Sequence, residues 1–159
     1  MPMIHLKGDA TRPQGEGNKI IAHIVNTHGG WGTGFVVSIS KRWKAPELRY
    51  RKWYREGSNF ELGNVQFVLV EEDPKLIVAN MIAQDGYRKR GSKFTNQVFI
   101  CYESLRECLE KVAIEAKNKN SSIHMPLIGT GLAGGSWDVI EPIIQETMKD
   151  IQVFVYHFE

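Results

Sequence analysis

The chain is short of cysteine, proline and net charge, and each shortage closes off a class of protein. Two cysteines and six prolines in 159 residues exclude a disulfide-stapled scaffold and a collagen-like or proline-rich disordered chain. Lys and Arg number 20 against 18 Asp and Glu, a balance of +2, so net charge does not announce a nucleic-acid partner. No window nears the ~18 consecutive apolar residues of a membrane span, and residues 1–7 lack the apolar stretch of a secretory signal. The rest is ordinary: 42% hydrophobic and 24% charged residues suit one globular domain over 1–159, expected in the cytoplasm. A chain this long buries ~70% of its unfolded surface and needs no metal or disulfide for stability. Cys101 and Cys108 lie in a segment that reads as helix. Two turns put them ~10 Å apart, beyond disulfide reach, and buried free thiols are expected.

Apolar runs alternate with helical periods. Residues 20–25, Ile-Ile-Ala-His-Ile-Val, form the β-branched run of a strand covered on both faces. Phe35, Val36, Ile39 and Trp43 then recur at helical spacing, and Pro46 opens a second helix over 47–55 that stops at Gly57. Runs at 65–70 and 76–82 flank the turn-like Glu71-Glu72-Asp73-Pro74 and predict a hairpin or neighbouring strands. The longest helix is predicted over 96–119, where Phe99, Tyr102, Leu105, Leu109, Val112 and Ala116 recur. A strand at 122–127, a helix at 137–149 and a strand at 151–158 complete an α/β/α sandwich with a largely parallel or mixed sheet. Ligands of such folds sit beyond the carboxyl ends of the strands, which here means the loops after Val25, Ile82 and Leu127.

The first of these loops reads Asn26-Thr27-His28-Gly29-Gly30-Trp31-Gly32-Thr33-Gly34-Phe35. Its glycines let the backbone approach a ligand closely, and the start of the following helix suits a phosphate. A plain flexible connector is the alternative. The loop after Leu127, Ile128-Gly129-Thr130-Gly131-Leu132-Ala133-Gly134-Gly135, has the same build, with Ser136 at a helix N-cap position. It matches the dinucleotide fingerprint formally, but too little chain follows for a second βαβ unit. Two phosphate loops in one small domain suggest a pyrophosphate gripped from both sides. Asp9, just after the first strand, could accept from an exocyclic amine such as that of adenine, or could simply form an Asx turn or helix cap.

Gly8-Asp9, the Val25-Asn26 strand end with its glycine loop, and Gly129-Thr130-Gly131-Leu132-Ala133-Gly134-Gly135, in that order along nearly the whole chain, together resemble the macro domain family. The resemblance implies a three-layer α/β/α sandwich with a mixed, mostly parallel six-stranded sheet. It also implies ADP-ribose or a derivative as ligand, with no metal or cofactor. Asp9 would hold the adenine amino group, Ala10 would line its pocket and Tyr156 would stack on it. Gly32, Thr33, Gly34 and Phe35 would cradle one side of the diphosphate and Thr130, Gly131, Leu132 and Ala133 the other, with Trp31 and Gly129 also among the ligand-binding residues. Asn26 would reach the distal ribose, near Gln84.

Departures from the family pattern bear on chemistry. Mono-ADP-ribosyl hydrolases of the family carry an Asn and an Asp where this chain has His28 and about Val36. Residues 125–132 resemble the branch of terminal ADP-ribose protein glycohydrolase, but the positions of its Lys and Asp hold Gln84 and Ala133. Neither can form a Schiff base or act as general acid. Ala22-His23-Ile24-Val25-Asn26 and Gly29-Gly30-Trp31-Gly32-Thr33-Gly34 keep the spacing of the yeast ADP-ribose-1''-phosphate phosphatases. His23 is therefore a candidate for proton transfer, weighed against a satisfied core histidine. His28 is a second candidate, and Asp85 a third that could polarise water or be a solvated turn residue. Two function classes stay open. One is a hydrolase removing phosphate from ADP-ribose-1''-phosphate or ADP-ribosyl groups from targets, and the other is a non-catalytic reader or scavenger of ADP-ribose. The basic, aromatic stretch 41–55 reads as a buried aromatic stripe with a solvated charged face rather than a nucleic-acid site. The Arg88-Lys89-Arg90 run reads as a loop that steers an anionic ligand.

Overall fold

The computed structural model describes residues 2–86 and 98–158, with Leu132 described by its backbone alone. Six strands, β1 (Ile4–Lys7), β2 (Asn18–Asn26), β3 (Val65–Glu72), β4 (Lys75–Gln84), β5 (Ser121–Pro126) and β6 (Val153–His157), form one sheet in the order β1-β6-β5-β2-β4-β3. Every neighbouring pair is parallel except β3, which runs antiparallel to β4 as the first arm of a hairpin. Four α-helices cover it: α1 (Phe35–Arg42), α2 (Ala45–Glu56), α3 (Tyr102–Asn118) and α4 (Trp137–Thr147). No described helix is long and apolar enough to cross a membrane.

The alternation of side chains along a strand explains why β2 and β4 are almost wholly apolar. On one face, Ile20, Ala22, Ala79 and Met81 pack with α3 and α4 residues such as Leu105, Leu109, Ile140 and Ile144. On the other, Ile21, Val25, Val78 and Ile82 pack with Trp31, Val36, Ile39 and Tyr50 around α1 and α2. Both cysteines are free; Cys101 stands immediately before α3 and Cys108 is buried within it.

The helix expected over 96–119 begins later, at Tyr102. Backbone pairing elsewhere is the reason: the N–H groups of Phe99 and Ile100 both donate to the Ala133 carbonyl, and that of Cys101 donates to Ala83. Phe99 therefore ties two loops together rather than joining the helical face. Asn96 and the basic run 88–93 lie outside the described residues.

Candidate functional site

Between Val25 and Asn26 the register of β2 against β4 shifts, so that Asn26 pairs with Gln84. Asn26 is 8% exposed, and its amide builds the first loop. Its Oδ1 accepts the N–H groups of His28 (2.9 Å) and Gly30 (3.1 Å), and its Nδ2 donates to the Gly30 carbonyl (3.0 Å). The Tyr50 hydroxyl donates to the Asn26 carbonyl (2.6 Å). One N–H of the Asn26 amide is left for a ligand.

A second set of bonds closes on the same loop. Trp31 Nε1 donates to Ser40 Oγ (2.7 Å), whose hydroxyl donates to Glu47 Oε1 (2.9 Å). Arg51 donates through Nε to Glu47 Oε2 (3.0 Å) and through Nη1 to the Gly29 carbonyl (3.0 Å). The relay leaves the loop at Trp31 and returns to it at Gly29 through α1 and α2. Burial pushes the Glu47 carboxyl up, but hydrogen bonds from Arg51 and Ser40 outweigh it and hold the group below the usual carboxylate range. The loop ends at Gly34, and the first turn of α1 has neither a side-chain cap nor an acidic residue. The Val37 N–H donates to the Gly34 carbonyl (3.1 Å), and the N–H groups of Phe35 and Val36 are left to face an anion.

Backbone contacts shape the second loop. The Gly135 N–H donates to the Gly129 carbonyl (2.8 Å). A Cβ on Gly135 would overlap that oxygen, and one on Gly129 would overlap the Ile100 side chain. Thr130 Oγ1 donates to the Leu127 carbonyl (2.8 Å), and residues Gly131–Ala133 make a single 3-10 turn.

Two cavities flank residues 32–35. The smaller, about 360 Å³, is lined by Asp9, Ala10, Gly34, Phe35, Tyr156 and Phe158, among others. Asp9 Oδ1 accepts the Thr11 N–H (2.8 Å) and hydroxyl (2.7 Å), so the Asx turn is real, and it fixes one carboxylate oxygen. Tyr156 lines this cavity but is 1% exposed. Its oxygen accepts the Gln14 N–H (2.8 Å) and shares a hydrogen bond with His124 Nδ1 (2.8 Å), and His124 Nε2 shares one with Ser122 Oγ (2.8 Å). Burial above all, with the charge of Lys19, takes His124 down to about 3. Tyr156 is therefore a fixed wall, and the ring open to a stacking partner is Phe158, 76% exposed. Phe158 was missed in the sequence although it sits two residues beyond Tyr156 at a strand end.

The larger cleft, about 730 Å³, brings together Asn26, His28, Trp31, Gly32, Thr33 and Gln84. It also takes in Arg51 and Arg55 of α2, expected on a solvated face, and Tyr54, expected in the buried aromatic stripe but exposed. Among the described residues no Asp or Glu lines it. Gly129, Thr130, Gly131 and Ala133 line neither cavity, although Pro126, just before their loop, lines the smaller one.

The proton-transfer candidates fare differently. His23 is 1% exposed beneath Trp31 and Phe35 and lines neither cavity. The Asn80 Nδ2 donates to the Pro46 carbonyl and to Gln66 Oε1, so its Oδ1 faces His23 and accepts from Nε2–H (2.6 Å). Nδ1 is buried without a partner among the described residues, so a fully satisfied core histidine does not describe it either. Burial lowers its pKa to about 4 against the Asn80 bond, and the ring is neutral at pH 7. His28 is exposed and lines the cleft. Asp85 is held by the Thr27 hydroxyl (3.0 Å) at an exposed turn and lines neither cavity. No group of three metal-ligating side chains occurs among the described residues.

A mostly parallel sheet layered by helices, with glycine loops and two cavities at its strand ends, defines a class of ligand-binding α/β domain. Comparison with known proteins narrows it. The chain is 43% identical to a macrodomain protein from Streptomyces coelicolor, covering 98% of each chain with a TM-score of 0.83. A Bacteroides thetaiotaomicron protein of unknown function shares 48% identity, with 99% of this chain and 98% of that one covered and a TM-score of 0.91. The ADP-ribose 1''-phosphate phosphatase of Candida albicans is 27% identical over 148 residues, 89% of this chain and 91% of that protein. Mouse chromodomain-helicase-DNA-binding protein 1-like is 26% identical over 97% of this chain, which spans only 17% of that protein. A scan against descriptions of protein families returned no match. The chain belongs to the macrodomain family.

Proposed function

We propose that residues 1–159 act as one cytosolic domain that binds ADP-ribose or a close derivative and hydrolyses a derivative carrying a 1''-phosphate. The observation that carries this is the pair of cavities on either side of residues 32–35. Adenine fits the smaller one, with Asp9 accepting from its amine and Phe158 on its face. The diphosphate lies along the open start of α1, facing the second loop, and the distal ribose meets the Asn26 and Gln84 amides. In the reaction, water adds to phosphorus and the bond to the C1'' oxygen breaks. The oxygen takes up a proton, leaving ADP-ribose and inorganic phosphate. His28 is the imidazole that lines the cleft and the group we assign to proton transfer.

A non-catalytic reader of ADP-ribose is the second reading, favoured by the sealed position of His23 and by a cleft without a lining carboxylate. One experiment separates the two. ADP-ribose should raise the melting temperature, while AMP and ribose 5-phosphate should do so little. A ligand at 100 times its Kd adds ~2.7 kcal/mol, roughly 5–11 °C for a domain of this size. Phosphate release from ADP-ribose-1''-phosphate, lost in His28→Gln, would establish the enzyme. Binding without release would establish the reader, and no thermal shift would refute both.

A further inference from the structure

We propose that Arg55 selects an anionic group on the distal ribose, so that the cleft prefers a sugar bearing a phosphate monoester over the bare sugar. The proposal rests on the ADP-ribose reading above and names the residue that would decide its substrate.

The two cleft arginines are not equivalent. Arg51 is committed: its Nε is paired with Glu47 (3.0 Å) and its Nη1 holds the Gly29 carbonyl (3.0 Å). Arg55, one turn further along α2, has no hydrogen bond or ion pair among the described residues. The neighbouring carboxylate on its own helix, Glu56, pairs with Lys52 (3.7 Å). With no Asp or Glu lining the cleft among the described residues, Arg55 supplies a guanidinium charge that nothing there offsets.

Its placement suits the role. Asn26, Gln84 and Arg55 line the same cleft, so a ribose held by the two amides shares that cleft with the guanidinium. Tyr54 packs on Gly29 so closely that a Cβ there would overlap its ring, which fixes the turn of α2 carrying Arg55 against the glycine loop. A guanidinium fork matches two oxygens of a phosphate, a geometry that an ammonium group cannot reproduce.

The test is titration of the parent protein, Arg55→Gln and Arg55→Lys with ADP-ribose and with ADP-ribose 1''-phosphate. Working at 4 °C, with free phosphate monitored, keeps turnover out of the binding measurement. The readout is the ratio of the two affinities. In the parent, the phosphate ester should bind about tenfold to a hundredfold more tightly, the worth of one charged hydrogen-bonded contact. The ratio should collapse toward one in Arg55→Gln and return partway in Arg55→Lys. Arg55 is exposed, and a melting curve confirms that each variant is folded. A ratio near one in the parent, or one that survives Arg55→Gln, overturns the proposal. Failure of the parent to bind either compound overturns the ADP-ribose reading beneath it.

Discussion

Two glycine loops end neighbouring strands, β2 and β5, yet different balances of side-chain and backbone contact hold them. In the first, Gly32 and Gly34 have open space where a Cβ would stand, and the glycine in close contact, Gly29, lies against a side chain, the Tyr54 ring. The loop is shaped by side chains, through the Asn26 amide and the Trp31–Ser40–Glu47–Arg51 relay. In the second, glycine is needed for contact itself, because Gly135 lies against the Gly129 backbone. The first loop is therefore adjustable through side chains on α1 and α2, whereas the second is held chiefly through backbone groups, its own and those of Phe99 and Ile100. Equal glycine content hides two different designs.

Acid is the largest lever on this contrast. His23 lies beneath the first loop and His124 in the strand leading to the second. Their folded pKa values fall from 6.5 to about 4 and about 3. Between pH 6.5 and 4 the unfolded chain binds protons that the fold refuses, so stability drops as pH falls through that window. By pH 4 the loss is roughly 3 kcal/mol for each histidine. Denaturant titrations across pH should show this, and His23→Gln should remove the first loop's share of the slope.

Gly135→Ala comes next, with an expected cost of about 3 kcal/mol and a fall of ~6–12 °C in Tm. Gly32→Ala, at an open position, should shift it hardly at all. Equal effects would break the comparison. Asn26→Ala strips the N–H groups of His28 and Gly30 of their acceptor and should cost about 2 kcal/mol, with ADP-ribose affinity falling tenfold or more by calorimetry. Glu47→Gln weakens the relay without touching a ligand. It should cost about 1 kcal/mol and loosen the first loop alone, which amide exchange at residues 29–34 would register.

Periodicity made the sheet legible because β2 and β4 are covered on both faces, and the hairpin and α2 followed from Pro and Gly punctuation. The start of α3 did not, because Phe99 and Ile100 spend their N–H groups on Ala133, a pairing between distant segments. Of the residues expected at the site, Asp9, Asn26, Gln84 and residues 31–35 come to line the two cavities, whereas Gly129, Thr130, Gly131 and Ala133 do not. Arg51 and Arg55 stayed hidden, since a helical wheel separates buried from solvated faces but cannot show which solvated turn comes to rest on a loop, and Tyr54, read as part of the buried stripe, is exposed instead. His23 was misleading for a related reason. Its neighbours Trp31 and Phe35 come from the very loop expected to carry ligand, and they seal it off.

The most direct test is amide hydrogen exchange with and without saturating ADP-ribose. If the ligand's diphosphate lies between the two loops, amides of residues 32–35 and of residues 130–133 should both slow, along with those around Asp9. Protection of the first loop alone, or of neither, would contradict the account.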